Sequence, residues 1–244
     1  MAIGTLTILP IAVHGEVTTH DIRASHGWYP LVGLLVGVPP TLALLLPLDA
    51  GPRAALALVL WVVITGGLHL DGWMDCCDAA FAPPGPTAAA TRQRRLDILG
   101  DPHAGTFGVA GLILLLLGKW TALVSAPAFL PLLAASVARW GMLLPLRLYA
   151  PARTTGLAAA HAGKVSLRLP TFSLAVAAAL PLLVLGIVQA PGPLVVAVLA
   201  GGMAAVWTAA WLSRRFGGVT GDVCGATGEA TEFLILWSML PWGA

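Results

Sequence analysis

Six long apolar stretches constrain the fold of this chain more than any other feature of its sequence. A membrane-spanning helix needs roughly 20 mostly apolar residues, and such stretches lie at about 31–48, 53–70, 106–127, 128–148, 171–189 and 193–213. A shorter seventh candidate starts near Thr231, whereas the apolar segment from Met1 to Val13 is too short to span and is predicted to lie at the membrane interface. Because an isolated strand cannot satisfy its backbone groups in hydrocarbon, we predict one all-α membrane domain over residues 1–244, a polytopic helix bundle with six to seven transmembrane helices.

The composition supports a membrane location. Of the 244 residues, 58% are hydrophobic and only 10% are charged, whereas soluble domains carry about 25% charged residues. The formal net charge of +2 does not favour a nucleic-acid partner. No Lys or Arg precedes the first apolar run, so a cleaved signal peptide is not expected. The three cysteines, Cys76, Cys77 and Cys224, lack zinc-type spacing and are expected to be packing residues.

The basic residues are distributed unequally between the two membrane faces. With the N-terminus placed in the cytoplasm, ten of the 13 Lys and Arg residues fall on the cytoplasmic side, Arg53 falls on the far side, and Lys119 and Arg139 lie within spans. The ten are Arg23, Arg92, Arg94, Arg95, Arg147, Arg153, Lys164, Arg168, Arg214 and Arg215. This bias follows the positive-inside rule. All acidic residues except Asp49, including Glu229 and Glu232, are expected at or near the same face, so polar chemistry is predicted on the cytoplasmic side of an inner membrane.

Asp71, Asp75 and Asp78 form the most distinctive motif in the sequence. Their spacings of four and three residues place the three carboxylates on one face of a helix, within about 6 Å of their neighbours. Carboxylates this close repel one another, and a divalent cation with oxygen ligands would neutralise them. We therefore predict a site for Mg²⁺, or alternatively Mn²⁺, bound partly through substrate phosphates. The alternative is an acidic helix end that is simply solvated.

A second acidic pair, Asp97 and Asp101, has the same four-residue spacing. If the Pro- and Gly-containing segment 82–86 folds back, this pair would face the first cluster and complete a two-metal site for displacement at phosphorus. Asp97 could instead pair with Arg94 or Arg95.

The segment from Gly217 to Asp222 precedes the last apolar run and contains three glycines, which is typical of a turn or loop. A glycine-rich turn ahead of a helix lets backbone N–H groups approach a phosphate, so Gly218, Thr220 and Asp222 are candidate substrate-binding residues. Alternatively, the segment is a plain connection between helices, and Asp222 only caps the last helix.

Several cationic side chains are further candidates. Arg92, Arg94 and Arg95 could clamp a diphosphate or serve as topology determinants, and Arg95 is retained as a substrate-binding candidate. Lys119 and Arg139 lie within spans, where charge is expensive and usually faces the bundle interior, so both could reach an anionic ligand. His69 could act as a base, hydrogen-bond a ligand or cap its span.

These residues resemble a known family. The segment from Thr65 to Gly72, followed by Asp75 and Asp78, is similar to the signature of cobalamin synthases, also called adenosylcobinamide-GDP ribazoletransferases. The resemblance continues in order along nearly the whole chain, through residues 28–33, Asp101, 105–108, Lys119–Trp120, Arg139, Arg153, Gly156–Leu157 and 217–226. Two departures stand out. Ala79 replaces a common glycine, and Gly100, Pro102 and His103 surround Asp101 where family members commonly carry Lys, Ser and Arg.

The resemblance implies a late step of vitamin B12 biosynthesis. Adenosylcobinamide-GDP and α-ribazole, or its 5′-phosphate, would give adenosylcobalamin, or its 5′-phosphate, and GMP. In that scheme a ribose hydroxyl attacks phosphorus, Asp71, Asp75, Asp78 and Asp101 hold metal, and Asp75, Asp101 and His69 are the catalytic candidates. Basic groups steady phosphate oxygens, and His103 stands where a basic residue is expected. Expected partners are the two small-molecule substrates, membrane lipid and a possible second copy of the chain.

Two other functions compete with this interpretation. A CDP-alcohol-type phosphotransferase also uses aspartates and a metal at the membrane surface, but that family's Asp Gly followed by Ala Arg and two further spaced aspartates is missing here. An ion-coupled transporter would place its coupling carboxylates near the bilayer midplane, whereas these aspartates adjoin polar loops.

Overall fold

The computed structural model describes residues 1–11, 16–154, 156–161, 165–185 and 191–242. Over these residues the chain is helical and contains no strand, apart from one isolated bridge between Pro151 and Val219, so the all-α prediction is confirmed. Lys164 and residues 12–13 and 186–189 of the predicted apolar segments lie outside the described residues. The helices in chain order are α1 (Ala2–Leu6), α2 (Thr19–Ser25), α3 (Tyr29–Leu44), α4 (Ala50–Thr65), α5 (Leu68–Phe81), α6 (Ala88–Ile98), α7 (Thr106–Ser125), α8 (Leu130–Gly141), α9 (Leu143–Leu148), α10 (Leu157–His161), α11 (Arg168–Leu185), α12 (Pro191–Phe216) and α13 (Gly221–Ser238), with 3₁₀ turns at His26–Trp28 and Leu240–Trp242.

The helices most able to cross a bilayer are fewer than the apolar stretches. Among the described residues, three helical stretches are long and apolar enough, namely Thr19–Leu44, Thr106–Ser125 and Gly192–Phe216. A fourth results if α4 and α5 are counted as one broken span. The predicted stretch 128–148 is divided into α8 and α9 at Met142. The chain is an integral membrane protein, and the count of six to seven spans stays a prediction.

Small residues bring the helices of the bundle together. α3 packs against α8, and a Cβ atom on Gly33 would lie only 2.4 Å from the carbonyl oxygen of Ala135. Close backbone approach through small residues is a common way to pack helices in membranes, where burial of apolar surface gives no drive for association. α13 lies at the centre of the bundle, in contact with α5, α7, α8 and α12.

A sharp bend separates α4 from α5. Gly66 and Gly67 both have left-handed backbone conformations, with φ values of 62° and 71°, which glycine adopts without steric cost. The N–H of Gly67 donates to the carbonyl of Val62, which ends α4. The axes of the two helices differ by 91°, so α5 turns across the end of the bundle and carries its aspartates with it.

Candidate active site

The acidic face of α5 lies beside the first turn of α13. Gly72 and Gly225 allow this contact, because a Cβ on Gly72 would lie 2.9 Å from the Cα of Asp222, and one on Gly225 would lie 3.3 Å from the Cα of His69. The negative charges that act on Asp75 are those of Asp71, Asp222 and Asp78. The predicted cluster of three aspartates is therefore extended by a fourth carboxylate, from the opposite end of the sequence.

Asp222 occupies a partly buried position at this cluster. Burial raises the pKa of its carboxyl group, while a hydrogen bond with Thr220 and the positive charge of Arg153 act in the opposite direction. Arg153 is exposed, and one of its terminal nitrogens donates to the carbonyl of Leu96. From the sequence, Arg153 was predicted only to lie on the cytoplasmic side and falls within the resemblance. The positive charge of Arg153 acts on Asp222, where a phosphate group would need a positive partner.

The donor atoms at this end of the bundle suit a hard divalent cation, since Asp71, Asp75 and Asp222 supply only oxygen ligands. Within the described ranges no group of three or more His, Cys, Asp or Glu side chains is already arranged to hold a metal ion. Mg²⁺ does not require such a cage, because proteins usually bind it through one or two carboxylates together with water and substrate phosphates. The residues present therefore fit a cation shared with a phosphate-bearing substrate.

Asp78 makes a second kind of contact, with the start of α7. Its two carboxylate oxygens accept hydrogen bonds from the N–H groups of Gly105 and Gly108, each at 2.8 Å. A carboxylate is well placed at a helix N-terminus, because it satisfies free N–H groups and complements the helix dipole. A Cβ on Gly105 or Gly108 would lie 2.4 or 2.2 Å from the Asp78 carboxylate. Asp78 thus holds α7 against α5, and its predicted role as a metal ligand stays a prediction.

Asp101 lies on the exposed loop before α7. It accepts hydrogen bonds from the backbone N–H of His103 at 3.0 Å and from the ring nitrogen Nδ1 of His103 at 2.7 Å. These hydrogen bonds lower the pKa of Asp101. Asp97 accepts a hydrogen bond from Gln93, and the suggested pairing of Asp97 with Arg94 or Arg95 is wrong. Over the described residues, the contacts of Asp101 are with His103 and none joins it to the aspartates of α5.

Two of the arginines on α6 bind the C-terminal end of α12. Arg92 donates from Nε to the carbonyl of Phe216 at 3.1 Å and from Nη2 to that of Gly217 at 2.9 Å. Arg95 donates from Nη1 to the carbonyl of Arg215 at 3.3 Å. The last carbonyls of a helix have no partner within the helix, so cationic side chains stabilise that end. The observed contacts of Arg95 are with the backbone, and its role in substrate binding stays a prediction.

The glycine-rich segment after α12 is held by the protein itself. The N–H of Gly218 donates to Ser213 and the N–H of Val219 donates to Ala150, each at 2.8 Å. The Thr220 hydroxyl accepts from the N–H of Val223 and caps α13. Gly218 and Thr220 therefore have structural partners, and Asp222 is the residue of this segment that reaches the acidic cluster.

Lys119 and Arg139 form a buried ion-pair cluster with two glutamates of α13. The Nζ of Lys119 donates to Glu229 and, at 2.5 Å, to Glu232, and Arg139 donates from Nη1 to Glu232. All four side chains are at least 94% buried. Glu229 and Glu232, which were expected at or near the cytoplasmic face, are buried in the bundle as partners of the two cations predicted within spans. Both cations are neutralised by protein, and their predicted role in ligand binding stays untested.

Arg139 also contacts His69. Its Nη2 lies 3.4 Å from Nδ1 of His69, and His69 is 3% exposed. The suggestion that His69 merely caps its span is not supported, since no side-chain cap is present at the start of α5. His69 links the buried charges to the end of the bundle where Asp71 and Asp222 lie.

The fold and the site together define an integral membrane protein with a polar site at one end of its helix bundle. The four carboxylates and the exposed arginine of this site are of the kind that bind phosphate-bearing substrates. The chain belongs to the Cobalamin-5-phosphate synthase family, which it matches over residues 1–240. No solved structure matches it.

Curated relatives resemble the chain over almost its whole length. A protein of Deinococcus radiodurans is 38% identical over 247 residues, which cover 100% of this chain and 85% of the relative. Proteins of Desulfitobacterium hafniense and Pseudomonas fluorescens (strain Pf0-1) are 34% and 35% identical, with coverage of 99% and 97% of this chain and 95% and 96% of the relatives. All three carry the name adenosylcobinamide-GDP ribazoletransferase. The predicted family and the prediction that the chain is a transferase are confirmed.

Proposed function

We propose that this enzyme joins adenosylcobinamide-GDP to α-ribazole, or to α-ribazole 5′-phosphate, and releases GMP. The product is adenosylcobalamin or its 5′-phosphate. The observation that carries this proposal is the similarity over residues 1–240 to a family whose curated members are named ribazoletransferases. The acidic end of the bundle supports it, because a reaction at a diphosphate needs groups that manage negative charge and a proton.

The proposed reaction is a displacement at phosphorus. A ribose hydroxyl of the acceptor forms a bond to the phosphorus attached to cobinamide, and the bond from that phosphorus to the bridging oxygen breaks. GMP leaves with the bridging oxygen and its electron pair. Asp222 is suited to accept the hydroxyl proton, because burial raises the pKa of its carboxyl group towards the working pH. Arg153, beside Asp222, steadies a phosphate oxygen.

Asp71 and Asp75 would hold Mg²⁺ or Mn²⁺ together with the substrate phosphates. When bound, the cation neutralises charge on the diphosphate and on the departing GMP. Asp75 fits this role because Asp71, Asp78 and Asp222 all add negative charge around it. Without a cation, an anionic diphosphate would be repelled from this end of the bundle.

The site is proposed to face the cytoplasm at the inner membrane. Basic residues at the same end support this orientation, since Arg92 and Arg95 bind the end of α12, and Arg153 binds α6 near the acidic cluster. Lys and Arg accumulate on the cytoplasmic side of membrane proteins.

Reconstitution of the full chain in vesicles with Mg²⁺ and both substrates tests the function. We expect GMP and the cobalamin product to appear in equal amounts, and Asp75→Asn to remove nearly all turnover while the protein stays folded and inserted. Asp49→Asn is a matched control, because Asp49 is exposed near the start of α4 and makes no side-chain cap. Unchanged turnover in Asp75→Asn would refute the metal site. Release of CMP from a CDP-alcohol, or solute flux without chemical turnover, would refute the proposed reaction.

A further inference from the structure

A cavity of about 140 Å³ lies at the same end of the bundle as the acidic cluster. Its walls are largely apolar and come from several helices, including Leu6 of α1, Tyr29 of α3, Leu146 of α9 and Ala158 of α10. Asp71, Asp222 and His69 also line it. The cavity is therefore an apolar space that opens beside the carboxylates of the proposed reaction.

His69, which lines this cavity, carries a buried hydrogen-bonding group without a partner. A guanidinium can only donate, so the contact from Nη2 of Arg139 makes Nδ1 of His69 the acceptor and places the imidazole proton on Nε2. Nε2 is buried and has no hydrogen-bond partner among the described residues. A buried donor without a partner is destabilising, so this N–H is a candidate contact for an acceptor atom on a ligand.

We infer that this cavity receives the aromatic base of the acceptor nucleoside, with His69 as a hydrogen-bond donor and the ribose directed towards Asp71 and Asp222. This inference rests on the proposed function. An apolar cavity of about 150 Å³ holds a benzene ring, so the observed volume accommodates one ring of a fused bicyclic base. In this inference His69 is a positioning residue, and its predicted catalytic role stays a prediction.

The lining also predicts which bases are accepted. A benzimidazole has few polar edge atoms, so its apolar ring can be buried against Leu6 and Leu146 with a small polar penalty. A purine base carries several donors and acceptors that the apolar walls would leave unpaired, and sites discriminate strongly against such ligands. The cavity should therefore select benzimidazole nucleosides over purine nucleosides.

Equilibrium binding of α-ribazole to the full chain in lipid nanodiscs, without the nucleotide substrate, tests this inference independently of turnover. Ala158→Leu adds three carbon atoms to a cavity wall, and we expect the Kd for α-ribazole to rise at least about tenfold. Ala159→Leu is the matched control, since Ala159 is the next residue of the same short helix and does not line the cavity. We expect its Kd to match that of the unmodified chain.

His69 provides a second pair of variants, which decides the matter if Ala158→Leu does not fold. His69→Gln keeps a side-chain N–H donor and is expected to bind α-ribazole within about threefold of the unmodified chain, whereas His69→Leu is expected to lose about tenfold. In turnover assays Ala158→Leu and His69→Leu should both raise the KM for α-ribazole and leave the KM for adenosylcobinamide-GDP unchanged.

The outcomes separate the two proposals. If the unmodified chain transfers α-ribazole but Ala158→Leu and His69→Leu bind it normally, the cavity assignment is overturned and the proposed function stands. If the unmodified chain neither binds α-ribazole nor releases GMP, the proposed function fails, and the cavity assignment fails with it. Equal affinity for α-adenosine, which has the same α-glycosidic bond, and α-ribazole would also overturn the assignment.

Discussion

Replacement of Glu232 by Gln should strongly destabilise the protein. The buried cluster contains two cations, Lys119 and Arg139, and two anions, Glu229 and Glu232, so its formal charge is zero. Glu232 contacts both cations, whereas Glu229 contacts Lys119 alone. Glu232→Gln therefore weakens two ion pairs and leaves an excess positive charge in the bundle. Loss of one partner of a buried pair costs about 3–5 kcal/mol, which corresponds to a fall in Tm of roughly 6–20 °C.

Thermal unfolding of the detergent-purified protein, followed by tryptophan fluorescence, measures this effect. Glu229→Gln should lower Tm less than Glu232→Gln, because it removes one contact. The double variant Lys119→Met/Glu229→Gln restores neutrality and leaves the pair between Arg139 and Glu232, so it should recover much of the loss seen in Glu229→Gln. Glu16→Gln, at an exposed residue, is the control. A Tm for Glu232→Gln within 2 °C of the unmodified protein would show that the cluster does not hold the bundle together.

Two further predictions concern contacts near the acidic cluster. Gly108→Ala should displace the Asp78 carboxylate, because the new Cβ would lie 2.2 Å from one of its oxygens, and we expect a loss of about 1–3 kcal/mol with faster amide exchange in the first turn of α7. Gly4→Ala, with open space around the new Cβ, is its control, and equal exchange in both variants would contradict the contact. Arg153→Gln should raise the KM for adenosylcobinamide-GDP about tenfold without changing that for α-ribazole; steady-state kinetics checks this, and an equal rise in both values would argue against a phosphate contact.

The helical architecture could be predicted from the sequence because apolar length and helix formation are linked by the bilayer. The change of direction between α4 and α5 could not be predicted from apolar length. The stretch 53–70 reads as one span, but Gly66 and Gly67 end α4 and redirect the chain. Two adjacent glycines were the available signal, and hydropathy alone does not register it.

The acidic site was predicted only in part. The spacing of Asp71, Asp75 and Asp78 identified one helix face, since helical neighbours are set locally. The position of Asp222 depends on the contact between α5 and α13, which joins residues 150 apart in sequence and is not encoded in any local pattern. Asp78 likewise reaches α7 across 27 residues.

The partners of the intramembrane cations were predictable but missed. Glu229 and Glu232 lie three residues apart on α13 and bind Lys119 and Arg139. Charges within a bundle usually occur in compensating pairs. Two cations inside the spans therefore predict two anions on neighbouring helices.

The bend at Gly66 and Gly67 decides what the aspartates of α5 can touch. Helices α4 and α5 contain 16 and 14 residues, and in a straight line they would form a rod of about 45 Å, against a hydrocarbon layer of about 30 Å. Asp78, 28 residues after the start of α4, would then lie about 12 Å beyond that layer, surrounded by water and away from α7 and α13. The two left-handed glycines thus turn a protruding acidic rod into a helix whose carboxylates meet the first turns of α7 and α13.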